Sequence, residues 1–209
     1  MFMPYGDGAS FSGYRSAPWP VPSHPGHSLT FRGMVNFDAT FDHLFSNLGL
    51  QDATQFVLTG GSAGGLSTFL HLDRAAALVR SRSPMATSIK GAPVVGYFLD
   101  HSNFVHSSDN YSAWMQYIVG MQNVTAQGGA LNQACVDDHA EAPWMCFMAP
   151  HMQSYIQTPW YLLQPLTNTP FICINSTCSP GTCSTPSSIR GSLPTFFKRL
   201  GPPKLSRLR

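Results

Sequence analysis

The sequence predicts an α/β fold in which helices flank a parallel sheet. Three observations carry this prediction. Short β-branched and apolar runs alternate with longer helix-like runs along the first 164 residues, which is the element order of a parallel sheet. A glycine-rich turn joins one such strand to the next helix in residues 58–73, which read LTGGSAGGLSTFLHLD. No run approaches the roughly 20 apolar residues of a membrane span.

The N-terminal part predicts a strand, two loops and a helix. Residues 1–5 are short and apolar and predict a buried strand, followed by a turn-rich loop over residues 6–13. The proline-rich residues 16–28 predict a second loop. Residues 31–48 predict a helix ended by Gly49, because apolar side chains recur at spacings of three and four. These side chains are Met34, Phe37, Phe41, Leu44, Phe45 and Leu48.

The sheet is expected to continue through three further strands. Residues 55–59 and 88–95 predict two of them, and residues 160–163 predict the last. Residues 63–79 predict the helix between the first two strands. Residues 98–121 mix polar and aromatic side chains and predict no single element. The buried side of the 63–79 helix is expected to contain Leu66, Phe69, Leu70 and Leu78.

Charge divides the chain into two parts. Residues 1–164 contain six basic and ten acidic residues, whereas residues 165–209 contain six basic and no acidic ones. We expect one domain over residues 1–164 and a disordered or unrelated basic tail over residues 165–209. The tail charges are dispersed, which disfavours an arm for nucleic acid or membranes. The formal net charge of +2 gives no case for a nucleic-acid partner.

Cysteines and sequons indicate a secreted protein. The five cysteines lack zinc-ligand spacing, so no metal is predicted, and Cys135 with Cys146 is the most plausible disulfide. Asn110, Asn123 and Asn175 begin N-x-[ST] sequons, which are consistent with secretion. The first residues form no signal peptide, from which we expect that the chain starts late.

Ser62 is the candidate nucleophile. Residues 60–64 fit G-x-S-x-G between a predicted strand and a predicted helix, which is the setting of a nucleophile elbow. Such a turn projects the serine hydroxyl from the sheet edge. It needs small neighbours, which Gly60, Gly64 and Gly65 supply. The N–H of Ala63 would donate to the oxyanion of an acyl substrate, and the helix dipole favours the same negative charge.

Two other interpretations fit part of this turn. A glycine-rich turn with a serine helix cap is a purely structural one. A phosphate-binding loop is the other, but the stretch lacks the lysine of G-x-x-x-x-G-K-[ST] and the phase of G-x-G-x-x-G.

Several segments resemble one esterase family. The stretch GGSAGGLSTFLHLD is similar to the serine segment of the pectin acetylesterases and the related Notum-type carboxylesterases. FMPYGDGASFSG resembles the strand and loop of that family, with Gly6 in place of a cysteine. FRG at residues 31–33, GYFLD at residues 96–100 and ACVDDHAEAPWMCFMAPHMQSYIQTPWYLLQ follow in the family order. The resemblance covers about residues 1–164.

The resemblance implies an α/β-hydrolase-like fold and a secreted, cell-wall serine carboxylesterase that needs no cofactor. It implies removal of acetyl groups from pectin, or of a lipid acyl group in the Notum branch. Ser62 would be the nucleophile and Ala63 an oxyanion donor. The sequence leaves the oligomeric state open.

The chain also departs from the family pattern. The other oxyanion donors of the family would precede residue 1, and residues 165–209 contain neither the expected acid nor a histidine. Val94 or Val95 replaces an aspartate before GYFLD. We therefore expect a chain truncated at both ends, with little activity. The alternative is an inactive, esterase-like protein that binds glycans through Tyr111, Trp114 and Tyr117.

Other ionisable residues offer weaker candidates for the catalytic base. Asp137 or Asp138 could orient His139 or His151, although none follows a strand as the fold requires. His71 is expected to pack or to face solvent. The cleft is expected to contain His101, His106, Asp100 and Asp109.

Overall fold

The computed structural model describes residues 1–101, 111–125 and 128–164, and these belong to one compact unit of the chain, formed by Met1–Ser102 and Ser108–Gln164. Four strands and five helices of this part position the site. They are β1 (Trp19–Pro20), β2 (Ser28–Leu29), α1 (Gly33–Asn47), β3 (Gln55–Gly61), α2 (Ala63–Arg82), β4 (Ser88–Val94), α3 (Tyr111–Gln122), α4 (Gln133–Asp138) and α5 (Ala149–Met152).

The sheet is parallel, as the sequence predicts. β3 pairs with β4 in register from Gln55 opposite Ser88 to Gly61 opposite Val94. Residues 160–163 extend alongside β4 through parallel bridges at Gly91 and Val94. The order across the sheet is therefore β3, β4 and then residues 160–163, which confirms the three predicted strand positions.

Helix α1 buries the apolar face that its spacing predicts. The ring of Phe41 lies 6.0 Å from that of Phe56 on β3, which seats the helix against the sheet. Leu48, by contrast, is 56% exposed because it lies beyond the last turn. Gly49 follows with a φ of 74°, a left-handed conformation that glycine adopts without steric cost. The buried side chains of the predicted face are Met34, Phe37, Phe41 and Phe45.

Helix α2 is the central helix of the described residues. More than half of its 20 residues are buried, including Leu66, Phe69 and Leu70. Phe69 packs edge-on against Trp160, with ring centroids 5.2 Å apart, and so links the helix to the strand segment beyond β4. Leu78 is half-buried rather than buried.

The N-terminal strand prediction is wrong. Residues 1–5 form no strand, and Met1 and Phe2 are 78% and 86% exposed. An apolar run becomes a strand only where a sheet edge accepts its backbone hydrogen bonds, and no described strand pairs with these residues.

The structure also adds elements that the sequence did not predict. Helix α3 begins within the stretch 98–121 and ends one residue beyond it, and exposed Trp114 and Tyr117 obscure its helical period. The two short strands β1 and β2 pair within the stretch predicted as a loop. No helix among the described residues is long and apolar enough to cross a membrane. The predicted tail, residues 165–209, lies outside the described residues.

The predicted disulfide is present. Cys135 on α4 is bonded to Cys146, with 5.9 Å between their Cα atoms. Both cysteines are fully buried. The other three, Cys173, Cys178 and Cys183, lie outside the described residues.

Candidate active site

Ser62 lies at a strained turn between β3 and α2. Its φ of 55° and ψ of −117° are outside the ordinary regions for an L-residue, and the residue is exposed. Such strain costs on the order of 1–3 kcal/mol and is concentrated at functional sites. The side chain forms no capping hydrogen bond to the helix that it precedes. This geometry excludes the interpretation as a serine helix cap, because a cap needs that bond.

Close packing around the turn explains two of its glycines. A Cβ on Gly60 would lie 2.4 Å from the carbonyl oxygen of Gly64, and a Cβ on Gly65 would lie 2.6 Å from that of Val94. Gly96 faces Gly65, and a Cβ on it would lie 2.3 Å from the Gly65 carbonyl carbon. The backbones of β3, α2 and the residues that follow β4 are therefore in direct contact.

Gly64 is the exception. The expectation that close packing requires glycine there is wrong, because an added Cβ would meet nothing within 4 Å. The side of α2 that carries this position is open, whereas its neighbour Gly65 faces β4. The backbone of Gly64, not its missing side chain, takes part in the tight contact.

The exit of β4 holds the turn from the other side. The Ser62 N–H donates to the Val94 carbonyl at 2.9 Å. Val95 follows with a φ of 52°, an outlier for a β-branched residue. A valine at this position does not predict a positive φ, and the only hint is the glycine that follows it. Two strained residues thus flank one hydrogen bond at the carboxyl edge of the sheet.

Ala63 is the first residue of α2. The first amides of a helix have no partner within the helix, and the dipole places partial positive charge there. An anionic oxygen next to Ser62 would lie close to these amides and to this partial positive charge. The role of Ala63 as an oxyanion donor stays a prediction.

A second strained loop reaches α2 from the N-terminal part. Ser10 and Phe11 have φ values of 55° and 59°. Asp7 holds the loop by accepting hydrogen bonds from the amides of Ala9 and Phe11, at 3.3 and 2.9 Å. Burial raises the pKa of Asp7, against the lowering effect of these amides. The predicted loop at residues 6–13 is confirmed, but its strain was not foreseeable from non-glycine residues.

His71 ties this loop to α2. Its Nε2 donates to the Ser10 carbonyl at 3.1 Å, and its ring stacks on Phe37 with centroids 4.3 Å apart. The side chain is fully buried, and this burial lowers its pKa to about 4. His71 therefore packs in the core, which is one of the two predicted alternatives, and it is neutral at pH 7.

The other described histidine candidates are bonded elsewhere. His151 Nε2 lies 2.8 Å from Asp100 Oδ2, so the structure pairs it with Asp100 rather than with Asp137 or Asp138. Burial alone would raise the pKa of Asp100, but hydrogen bonds from Ser112 and His151 outweigh it and lower that pKa. His139 Nδ1 donates to the Cys135 carbonyl at 3.0 Å. His106 and Asp109 lie outside the described residues.

One cluster has the composition of a metal site. Ligand atoms of Cys135, His139 and Cys146 lie within 4.8 Å of one another. The two sulfur atoms are joined as a disulfide, and thiolates, not disulfides, bind metals. This cluster is therefore not a metal centre in the oxidised protein.

A parallel sheet whose strand leads through a strained serine into a helix defines an α/β-hydrolase-like fold. A solved structure of the Wnt deacylase Notum from Drosophila supports the same class, with a TM-score of 0.75 and 23% identity over 94% of this chain and 55% of that one. The family model for pectinacetylesterase matches residues 1–190, so the chain belongs to the pectinacetylesterase family. This match extends beyond residue 164, where the recognisable motifs end.

Curated relatives fall into two groups. Pectin acetylesterase 5 of Arabidopsis thaliana is 34% identical over 161 residues, which are 77% of this chain and 34% of that protein. The palmitoleoyl-protein carboxylesterase NOTUM of Drosophila melanogaster is 24% identical over 170 residues, 78% of this chain and 24% of that protein. The chain thus spans about a third or less of the length of either.

Proposed function

We propose that this chain provides the nucleophile of a secreted serine carboxylesterase that removes acetyl groups from cell-wall polysaccharide. The observation that carries the proposal is the exposed Ser62 at φ 55° between β3 and α2. Strain of this kind at the carboxyl end of a parallel strand is characteristic of a nucleophile elbow.

The reaction would have two steps. Ser62 Oγ attacks the ester carbonyl carbon, the bond from that carbon to the sugar oxygen breaks, and the sugar hydroxyl leaves with a proton. Water then hydrolyses the acyl–serine and restores the hydroxyl. The Ala63 N–H and the α2 dipole would stabilise the oxyanion in each step. One such donor contributes about 10²–10³ in kcat.

The catalytic base limits the rate expected from this chain. Among the described residues, Ser62 Oγ has no hydrogen bond to a histidine, and the ring bonds of His71, His139 and His151 go to Ser10, Cys135 and Asp100, so we do not assign any of them as the base for Ser62. Loss of the base and its orienting acid costs about 10⁴–10⁶ in kcat. We therefore expect residues 1–209 on their own to acylate slowly and to turn over more slowly still.

Acetylated pectin is the favoured substrate. Identity to a plant pectin acetylesterase is 34%, against 24% for the palmitoleoyl-protein carboxylesterase of Drosophila. Export is proposed on the same family grounds, and the buried Cys135–Cys146 disulfide is typical of oxidising compartments.

Release of the aryl alcohol and of acetate tests the proposal. The chain, Ser62→Ala and Ser81→Ala are incubated with acetylated pectin and with an aryl acetate. Ser81 is a matched control because it is an exposed serine near the other end of α2. We expect the parent chain and Ser81→Ala to release about one equivalent of aryl alcohol from the aryl acetate, followed by only slow release of acetate from either substrate, and Ser62→Ala to release neither above background. Equal release from all three would contradict the assignment of Ser62.

An inactive glycan-binding protein is the second candidate. Trp114 and Tyr117 on α3 are each 62% exposed, and exposed aromatic rings suit the apolar faces of sugars. Acetylated pectin fragments that bind with equal affinity to the parent chain and Ser62→Ala, without acetate release from either, would favour this second function.

A further inference from the structure

A groove of about 360 Å³ follows one face of α3. Tyr117 in it is 62% exposed. The Arg15 guanidinium lies 4.4 Å from the centre of the ring of Trp19, one of the lining residues. A mostly apolar, partly aromatic groove of this kind suits a sugar ring, whose C–H faces pack on aromatic faces. The lining residues are Trp19, Ala113, Gln116, Tyr117, Gly120 and Met121.

Asn123 lies directly beyond α3 and begins the sequon Asn123-Val124-Thr125. Its φ is 55°, and its backbone N–H donates to the Gly120 carbonyl at 3.2 Å. Asn123 and Thr125 are exposed, whereas Val124 between them is fully buried. The acceptor amide and the hydroxyl are therefore accessible, while the residue between them anchors the turn.

Residues 14 and 15 contact both the sequon and residues that line the groove. Asn123 Nδ2 donates to the Tyr14 carbonyl at 3.3 Å. The next residue, Arg15, stacks on Trp19, and its Nε donates to the Met121 carbonyl at 2.8 Å. A group attached to the Asn123 amide would thus begin beside Tyr14 and Arg15, and Arg15 contacts the lining residues Trp19 and Met121.

We infer that Asn123 carries an N-linked glycan whose first sugar rings pack into this groove. The inference rests on the export proposed above. The occupant is the protein's own glycan rather than a free ligand, because its covalent attachment lies two residues from Met121 and holds the sugar at a high local concentration.

The chemistry leaves the Tyr14 contact intact. Asn123 Nδ2 forms a bond to the anomeric carbon of a lipid-pyrophosphate oligosaccharide, and the bond from that carbon to the pyrophosphate oxygen breaks. The lipid pyrophosphate leaves with the electron pair, and one Nδ2 proton is lost. The second Nδ2 hydrogen remains and can still donate to the Tyr14 carbonyl.

A structural role for Asn123 alone does not account for all of these features. Asparagine is common where a helix ends in the left-handed conformation. That role needs neither an exposed Thr125 nor an aromatic groove beside the turn. The two roles are also separable, because Thr125→Ala removes the sequon and keeps Asn123.

The first experiment tests attachment. The chain is expressed behind an added leader in a eukaryotic secretory host, with Asn110→Gln and Asn175→Gln so that one sequon remains. Peptide mass mapping should find a glycan on Asn123, and Thr125→Ala should abolish it. Secreted protein with an unmodified Asn123 would overturn the inference. This result would leave the esterase assignment intact, because acetate release is measured separately on unglycosylated chain.

The second experiment tests the groove. Endoglycosidase removal of the glycan from the folded protein is timed in the parent, in Tyr117→Ala and in Tyr161→Ala. Tyr161 is the matched control, since it is 67% exposed and does not line the groove. We expect Tyr117→Ala to speed removal by about tenfold, and Tyr161→Ala to leave it unchanged. Equal rates in all three would show that the glycan does not pack there.

A third measurement separates the protein's own glycan from free substrate. Unglycosylated Thr125→Ala is titrated with a pectin fragment while Tyr117 and Trp19 fluorescence is followed. No response is expected at the pectin concentrations used in the acetate-release assay. A response that Tyr117→Ala removes would assign the groove to substrate and overturn the inference.

Discussion

Two residues near the carboxyl edge of the sheet have backbone conformations that their side chains disfavour. Ser62 has a φ of 55° and Val95 a φ of 52°. Each costs on the order of 1–3 kcal/mol. The hydrogen bond from Ser62 N–H to the Val94 carbonyl links the two turns directly. Strain at both ends of one contact indicates that the surrounding packing fixes the position of the serine hydroxyl.

The close backbone contact between α2 and the end of β4 predicts that alanine has opposite effects on stability at two adjacent glycines. Gly65→Ala would place a Cβ 2.6 Å from the Val94 carbonyl oxygen, which a rigid backbone cannot relieve cheaply. We expect it to destabilise the protein by about 1–3 kcal/mol. Gly64→Ala meets nothing within 4 Å and lies in α2, so we expect a gain of about 0.5–1 kcal/mol.

Urea unfolding of both alanine variants measures this difference. The order of the midpoints should be Gly64→Ala, then the parent, then Gly65→Ala. If Gly65→Ala unfolds at the parental midpoint, the strand and helix do not approach as closely as described.

Of the strained single residues, the sequence predicts some and not others, and the reason is physical. The turn from β3 through Ser62 into α2 was predictable because a known pattern of small residues forms it. The strain at Ser10, Phe11 and Val95 was not, because positive φ has no sequence signal where glycine and asparagine are absent.

At the scale of elements, a single carboxylate connects α2 to the last strand segment. Asp73 accepts hydrogen bonds from the backbone amides of Gln157 and Thr158, at 3.0 and 2.8 Å. These amides directly precede residues 160–163, so the carboxylate sets where that segment enters the sheet. Thr158 is buried, with 1% exposure.

We expect Asp73→Ala to destabilise the protein by about 1–3 kcal/mol, because it leaves the Thr158 amide buried without its partner. Asp38→Ala is the matched control. It removes a surface ion pair in which the side chain of Asp38 is 36% exposed and that of Arg74 is 40% exposed. The free energy of unfolding should therefore fall by less than about 1 kcal/mol. Unfolding midpoints that fall equally for the two variants would contradict the linking role of Asp73.

The helices and strands that were predicted correctly are those with a clear pattern of apolar residues. Helix α1 has four buried side chains at helical spacing and could be placed to within two residues. Strands β3 and β4 were clear because turn signals bound their β-branched runs. Residues 1–5 look like a strand, but a strand also needs a neighbouring edge, which composition does not encode. Helix α3 was missed because its outer face is aromatic.

At the scale of the whole molecule, His71 couples folding to pH. Its pKa falls from 6.5 to about 4 in the folded protein because of burial. The unfolded chain therefore binds more protons between these values, so stability is complete above about pH 6.5 and falls as the pH drops towards 4. The loss amounts to roughly 3 kcal/mol across this window.

The variant His71→Gln isolates this effect. Glutamine can still donate to the Ser10 carbonyl but does not titrate. Urea unfolding from pH 7 to pH 4 should show a smaller fall in stability for His71→Gln than for the parent. Parallel pH profiles for the two proteins would show that His71 is not held neutral by burial.

If Ser62 Oγ is the nucleophile, an aryl acetate should transfer its acetyl group to that atom. The chain is incubated with an aryl acetate, quenched in acid and mapped by peptide mass spectrometry beside Ser62→Ala. We expect one acetyl group on Ser62 in the parent chain, and it should persist because deacylation lacks an assigned base. Acetyl groups confined to lysines, with the same pattern in Ser62→Ala, would contradict this expectation.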